Sequence, residues 1–157
     1  PLPEAQLDRF AMKLSVGYPE QADEIRMLQE AATEKNGPFE DDSLGLEPGQ
    51  LRQLQREVAR IPVAESVQDY LVRIATETRR HPSISLGLSP RGLLTLQRAV
   101  QAQAFLAGRD YVTPDDVLDV IFPVLSVRIG LEINEASRVI QEVLDAVALP
   151  EYPEHLK

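Results

Sequence analysis

From Tyr18-Pro19 onward, apolar side chains recur three and four residues apart, the period of helices with one buried face. Ala22, Ile25, Leu28 and Ala32 form the first stripe. Glu20, Asp23 and Glu24 crowd its first turn, Lys35 stands near its end, and Gly37-Pro38 stop it. A shorter helix carries Leu51, Leu54 and Val58. A longer one carries Val67, Tyr70, Leu71, Ile74 and Thr78 and closes at Arg79-Arg80-His81-Pro82, where cations meet the negative helix end. Ser89 is a good N-cap and Pro90 suits the first helical position; Leu93, Leu96, Val100, Ala104 and Ala107 follow, up to Gly108. Thr113-Pro114-Asp115-Asp116 caps the next helix, with Val117, Val120, Ile121 and Val124 inward. Asn134 caps the last, whose stripe is Val139, Ile140, Val143, Leu144 and Val147, and Pro150 and Pro153 release the chain into a tail. The pattern predicts an all-α protein, an orthogonal bundle of about six helices, with no internal repeat.

One segment breaks the period. Phe10, Met12, Leu14 and Val16 alternate with Ala11, Lys13, Ser15 and Gly17, which predicts a short N-terminal strand. A lone strand is not stable in water. Period two recurs only at Ile84-Leu86-Leu88 and Val127-Ile129-Leu131-Ile133. The strand over 12–16 therefore reads as an edge left over from a larger sheet. It would stay without order, pair with a ribbon near 127–133, or pair with a second copy of the chain.

With 157 residues the chain fits one domain, and the lack of Trp with few aromatics suits a core of Leu, Ile, Val and Ala. Cysteine is absent, which excludes disulfides and thiolate catalysis and is compatible with a reducing cytoplasm. The net charge of −9 opposes nucleic-acid binding, since a nucleic-acid partner calls for a basic face. Acidic residues gather over 20–47, as in a solvated loop. No apolar run reaches the roughly 20 residues that span a bilayer, and no leader pattern opens the chain. Neither a G-x-x-x-x-G-K-[ST] phosphate loop nor an apolar strand ending in Asp-Glu occurs, and Pro1 comes without an initiator Met. These features predict a piece of a longer protein.

The candidate chemistry lies at Ser89-Pro90-Arg91. Arg91 projects from a helix N-terminus, an end that already favours anions, so a cation there is poor for the helix and useful for a phosphate. The structural alternative is an arginine that only solvates the surface. Other constellations are weaker. His81 and His155 are too few for a metal site, and His81 beside Pro82 suits a helix C-cap. Asp115 and Asp116 fit helix-start capping, Arg109-Asp110 a local pair or a packing contact, and the serines lack a paired histidine.

Four stretches together resemble the MoxR family of AAA+ ATPases. They are Pro1-Leu2-Pro3-Glu4-Ala5-Gln6-Leu7-Asp8-Arg9-Phe10, Thr78-Arg79-Arg80-His81-Pro82, Leu86-Gly87-Leu88-Ser89-Pro90-Arg91 and Gly108-Arg109-Asp110-Tyr111-Val112-Thr113-Pro114-Asp115-Asp116-Val117. The resemblance runs in order from Pro1 to about Leu125 and covers the back end of such an ATPase. It implies that residues 1–18 end the nucleotide-binding core, that 19–149 form the helical lid and that 150–157 are a tail. It implies two phosphate-directed arginines, a type suited to the task because a guanidinium stays charged and forks. Arg9, in Leu7-Asp8-Arg9-Phe10, would be a finger reaching the nucleotide of a neighbouring subunit; its alternative is an ion pair with Asp8 or Glu4. Arg91, with Ser89 and Pro90, would sense the nucleotide of its own subunit as the lid closes.

The parent so implied binds ATP and Mg²⁺, forms a ring, expected to be a hexamer, and remodels or matures client proteins in the cytoplasm. It commonly works with a von Willebrand A-domain partner. The piece itself would bind no cofactor, hydrolyse no ATP and depend on the missing AAA+ core. Three positions depart from the family pattern: Gly92 stands where Ala is usual, Ser126-Val127 replace a basic histidine pair of which Arg128 remains, and Ala64 replaces a polar cap. The rival reading is a stand-alone helical protein–protein interaction module with no nucleotide role, with a helix-turn-helix DNA binder a distant third.

Overall fold

The computed structural model describes residues 4–32, 45–129 and 133–150, which divide into two compact units. One comprises residues up to Lys13 together with those from Leu54 onward; the other runs from Leu14 to Gln53. Seven helices occur among the described residues: α1 (Glu4–Leu7), α2 (Gln21–Ala32), α3 (Pro48–Arg60), α4 (Glu65–Arg80), α5 (Pro90–Leu106), α6 (Pro114–Ser126) and α7 (Ile133–Asp145). Lys35 and Gly37-Pro38, expected to end α2, and His155 in the tail lie outside the described residues.

The larger unit is organised by four helices that pack in a closed circuit, α4 on α5, α5 on α6, α6 on α7 and α7 back on α4. Each presents the stripe that its spacing predicted. Val67, Tyr70, Leu71 and Ile74 of α4 meet Leu96, Val100 and Ala104 of α5, Val117, Ile121 and Val124 of α6, and Val139, Ile140 and Val143 of α7 in one aliphatic core. Gln101 and Thr78 are buried beside them. Gln101 Nε2 donates to the Ile61 carbonyl at 2.7 Å, which anchors the chain between α3 and α4. Thr78 Oγ1 donates to Ala75 O (2.7 Å) and accepts from Leu88 N–H (2.9 Å), so burial leaves it satisfied.

The helix ends follow local chemistry. Ser89 caps α5, its Oγ accepting from Gly92 N–H at 2.9 Å. At the other end Gly108 takes φ +73°, and the Gly108 and Arg109 amides donate to Phe105 O and Ala104 O, a Schellman closure. Thr113 and Asp116 form a capping box on α6. Asp116, fully buried, also takes a bidentate pair from Arg109, with one contact of 2.6 Å, so Arg109 makes a packing contact across the loop. Ala64 caps α4 without any side-chain hydrogen bond. His81 is the C-cap of α4; its Nδ1 accepts from Ser83 N–H (3.2 Å) while Nε2 faces Glu142 Oε2 (3.1 Å). α7 begins at Ile133, so Asn134 lies inside its first turn and does not precede it. Ala107 caps α5 on the surface and lies outside the buried stripe.

The expected strand over 12–16 is absent: the described residues contain no β-structure. Residues 84–88 are the α4–α5 connection and 127–129 a turn after α6; 130–132 lie outside the described residues. The physical reason is that backbone groups near the start of the chain find helix-end partners. Lys13 N–H donates to Pro123 O at 2.8 Å, and Arg128 takes the carbonyls of Phe10 and Ala11. In the smaller unit α2 forms, with Arg26 bridging to Asp23 and Glu30, but none of its residues is buried and Ile25, Met27 and Leu28 are exposed.

Candidate functional site

The turn that carries Ser89-Pro90-Arg91 is fixed from below by α4. Leu88 N–H donates to Thr78 Oγ1, and the Leu88 carbonyl accepts from Arg79 Nε at 2.8 Å. Gly87 passes so close to Arg79 that a Cβ there would sit 2.5 Å from the Arg79 Cα. Only glycine permits that approach. Arg79, expected merely to complement the α4 dipole, therefore also holds the backbone that starts α5.

Two segments of the sequence meet at this turn. Asp8, just after α1, turns its carboxylate to Ser89, whose Oγ donates to both carboxylate oxygens at 2.8 and 2.9 Å. Ser89 thus accepts from its own helix and donates to Asp8 with one hydroxyl. The ion pair of Asp8 is with Arg128, Nε to Oδ1 at 3.4 Å, in place of a pairing with Arg9; the side chain of Glu4, the other partner expected for Arg9, lies outside the described residues. Arg9 itself is exposed, and its amide donates to Gln6 O. Arg91 is exposed in the first turn of α5. Pro90, at the first helical position, has no N–H to offer.

Arg128 is the residue whose role the sequence left unread. Its side chain is 2% exposed and lies at the C-terminal end of α6. The last carbonyls of a helix lack intrahelical donors, and a cation there meets the negative end of the dipole. Nη1 donates to Val124 O (2.6 Å) and Ala11 O (3.2 Å), Nη2 to Phe10 O (2.7 Å). Nε has no hydrogen-bond partner and meets Asp8 by charge alone. Burial pushes the Arg128 pKa down, the Asp8 carboxylate opposes that, and the Arg91 charge adds to the depression. A guanidinium remains charged through such a shift. Gly92 lies against it: a Cβ would stand 2.6 Å from Leu88 Cδ1 and 3.0 Å from Arg128 Nε.

Two solvent-exposed arginines, Arg9 and Arg91, therefore lie within two positions in sequence of one hydrogen-bonded pair, Asp8 and Ser89. They offer cations to an anion approaching from outside. Among the described residues no cluster of His, Cys, Asp or Glu could hold a metal ion, and no helix is long and apolar enough to cross a membrane. The hydroxyl of Ser89 faces a carboxylate and not a histidine.

Residues 76–147 match the AAA lid domain family, which takes in Arg79, Ser89, Arg91 and Arg128. The chain is 41% identical over 96% of its length to the uncharacterized protein YeaC of Bacillus subtilis, covering 48% of that protein. It is 35% identical over 96% of its length to the chaperone MoxR1 of Mycobacterium tuberculosis, covering 43% of it. The protein MoxR of Methylorubrum extorquens is 28% identical over 93% of the chain, with 48% of that relative covered. The chain thus spans about half the length of the curated relatives it matches. A solved structure of a candidate ATPase from Cytophaga hutchinsonii superimposes with a TM-score of 0.75 at 27% identity, over 96% of this chain and 50% of that one.

Proposed function

Because the chain belongs to the MoxR family of AAA+ ATPases, we propose that it forms the lid-bearing part of an ATP-hydrolysing subunit. In this reading the longer protein assembles as a hexameric ring in the cytoplasm and remodels or matures client proteins, as the chaperone name of one relative suggests. A von Willebrand A-domain protein is the proposed partner. The phosphate loop and the magnesium-binding carboxylates belong to a core that this sequence does not contain.

ATP would supply the phosphoryl group and Mg²⁺ the neutralising charge for hydrolysis. The chain's own part is electrostatic. Arg91 carries a permanent charge at the start of α5, where the helix end favours anions as well. Its reach depends on where the lid stands, so contact with the terminal phosphate reports lid closure. Arg9 carries a second charge on the surface, available to a nucleotide held by a neighbouring subunit. Arginine forks are well matched to phosphoryl oxygens, and one such contributed residue changes turnover by orders of magnitude.

The observation that carries the reading is the union of the Leu7-Asp8-Arg9-Phe10 and Ser89-Pro90-Arg91 segments through Asp8 and Ser89, with both arginines left open to solvent. The test uses the full-length ring. Arg91→Ala should remove most ATPase activity while assembly stays intact. Arg9→Ala should also abolish turnover, and mixing it with a phosphate-loop variant should restore part of the activity, because each supplies what the other lacks. Full activity in Arg91→Ala, or no recovery in the mixed ring, would refute the assignment.

A further inference from the structure

We propose that Asp8 and Arg128 form a positioning strap that makes the posture of Arg9 depend on the posture of the α5 N-terminus, and so couples adjacent nucleotide sites of a ring. The inference rests on the roles assigned above to Arg9 and Arg91; the strap itself rests on contacts that those roles did not use.

Arg9 is bracketed. On its N-terminal side Asp8 is hydrogen-bonded to Ser89, the cap of α5, and ion-paired to Arg128 Nε. On its C-terminal side the carbonyls of Phe10 and Ala11 are held by the terminal nitrogens of the same guanidinium. One buried side chain therefore meets the Asp8 carboxylate before Arg9 and grips the backbone after it. Two residues further on, Lys13 N–H is held by Pro123 O of α6.

The other side of the strap is the first turn of α5. Ser89 is two residues from Arg91, and its hydroxyl serves both the α5 cap and Asp8. Gly92 packs against Arg128 so closely that a single added carbon would reach 3.0 Å from Nε. A shift of the α5 start must break the Ser89–Asp8 contact or carry the Arg9 segment with it. The second course is favoured when α5 moves with α6, against which it packs: leaving the Arg9 segment behind would then also part Asp8 from Arg128, and among the described residues no other carboxylate pairs with that buried guanidinium, a costly state. Rigid transmission of this kind needs packed contacts with few alternatives, which buried donors on fixed carbonyls provide.

The experiment replaces the charge and keeps the shape. In the full-length ring, Asp8→Asn retains an acceptor for Ser89 and removes the partner of Arg128 Nε. Two readouts follow: hydrogen exchange of peptides covering residues 9–13, and the Hill coefficient of ATP hydrolysis. The expected result is exchange roughly tenfold faster over 9–13 with unchanged exchange in α4–α7, since local opening is set by local contacts. The Hill coefficient should fall toward one, and Asp8→Glu should recover part of both effects.

Unchanged exchange over 9–13, or faster exchange with an unchanged Hill coefficient, overturns the coupling. If Asp8→Asn also loosens α4–α7, Ser89→Ala, which leaves the Arg128 ion pair in place, decides by the same two criteria. The two levels fail differently. Normal turnover in Arg9→Ala and Arg91→Ala sinks the arginine assignments, whereas loss of turnover there with no effect at Asp8 sinks the strap alone.

Discussion

Truncating Asp116 to alanine tests the best-defined electrostatic unit of the bundle. The Asp116 carboxylate is fully buried and accepts from Thr113 N–H at 2.7 Å, Thr113 Oγ1 at 3.0 Å and both terminal nitrogens of Arg109. Loss of its half of a capping box costs about 1 kcal/mol. Loss of a charge-assisted pair costs about 1.5–3 kcal/mol more. The Arg109 side chain is 29% exposed, so water replaces part of that second contribution. The net expectation is about 2–3 kcal/mol, which at a urea dependence near 2 kcal/mol/M lowers the unfolding midpoint by about 1–1.5 M.

The pH dependence gives an independent check. Desolvation pushes the Asp116 carboxyl up, but hydrogen bonds from Arg109 and Thr113, with the nearby guanidinium charge, together hold it below the usual carboxylate range. A carboxyl depressed on folding contributes stability that is fully present above its unfolded pKa of about 3.9 and lost as the pH falls through the folded value. Urea titrations followed by far-UV circular dichroism should therefore show a constant gap between wild type and Asp116→Ala at neutral pH. That gap should narrow below about pH 4. A neutral gap under about 1 kcal/mol, or one that does not shrink in acid, would refute the reasoning.

Three further substitutions test local contacts of the bundle. Gly87→Ala forces a Cβ onto the Arg79 backbone, and thermal unfolding should show a loss of at least about 2 kcal/mol. Ala64→Asp gives α4 the polar cap it lacks and adds a favourable charge at its positive end; melting should rise by roughly 3–5 °C. Gln101→Leu leaves the Ile61 carbonyl without its donor, and urea unfolding should register a loss of about 1–3 kcal/mol.

Much of the larger unit was legible because its signals are local. Ser89, Thr113-Pro114-Asp115-Asp116 and Gly108 each specify a helix end within four residues, and the stripes of α4 to α7 are periodic over two or more turns. The strand expected over 12–16 failed for a reason of the same kind. Alternation shows that a backbone is extended and one-sided, not which groups will pair with it; Arg128 donates to the carbonyls of Phe10 and Ala11, and Pro123 O accepts from Lys13 N–H, from more than a hundred residues away. The Asp8–Ser89 contact spans 81 positions and leaves no mark on local pattern. Arg128 itself was visible only as the remainder of a basic pair, because cation capping of a helix end by a side chain just past it depends on a turn that spacing alone does not specify. α2 shows the limit from the other side: its stripe folded into a helix, and amphipathicity did not say against what the stripe would rest.

The closed circuit of α4, α5, α6 and α7 has a mechanical consequence. Four rods packed in a ring, each against two neighbours and around one buried core, resist shear and turn as a single lever, since protein interiors are close-packed. α5 alone, at 17 residues, makes an arm of about 25 Å. A tilt of about 10° imposed at Ser89 would swing the exposed Leu106 at its far end through about 4 Å. A small angular change at one end of the rod thus becomes a stroke of several ångströms at the other.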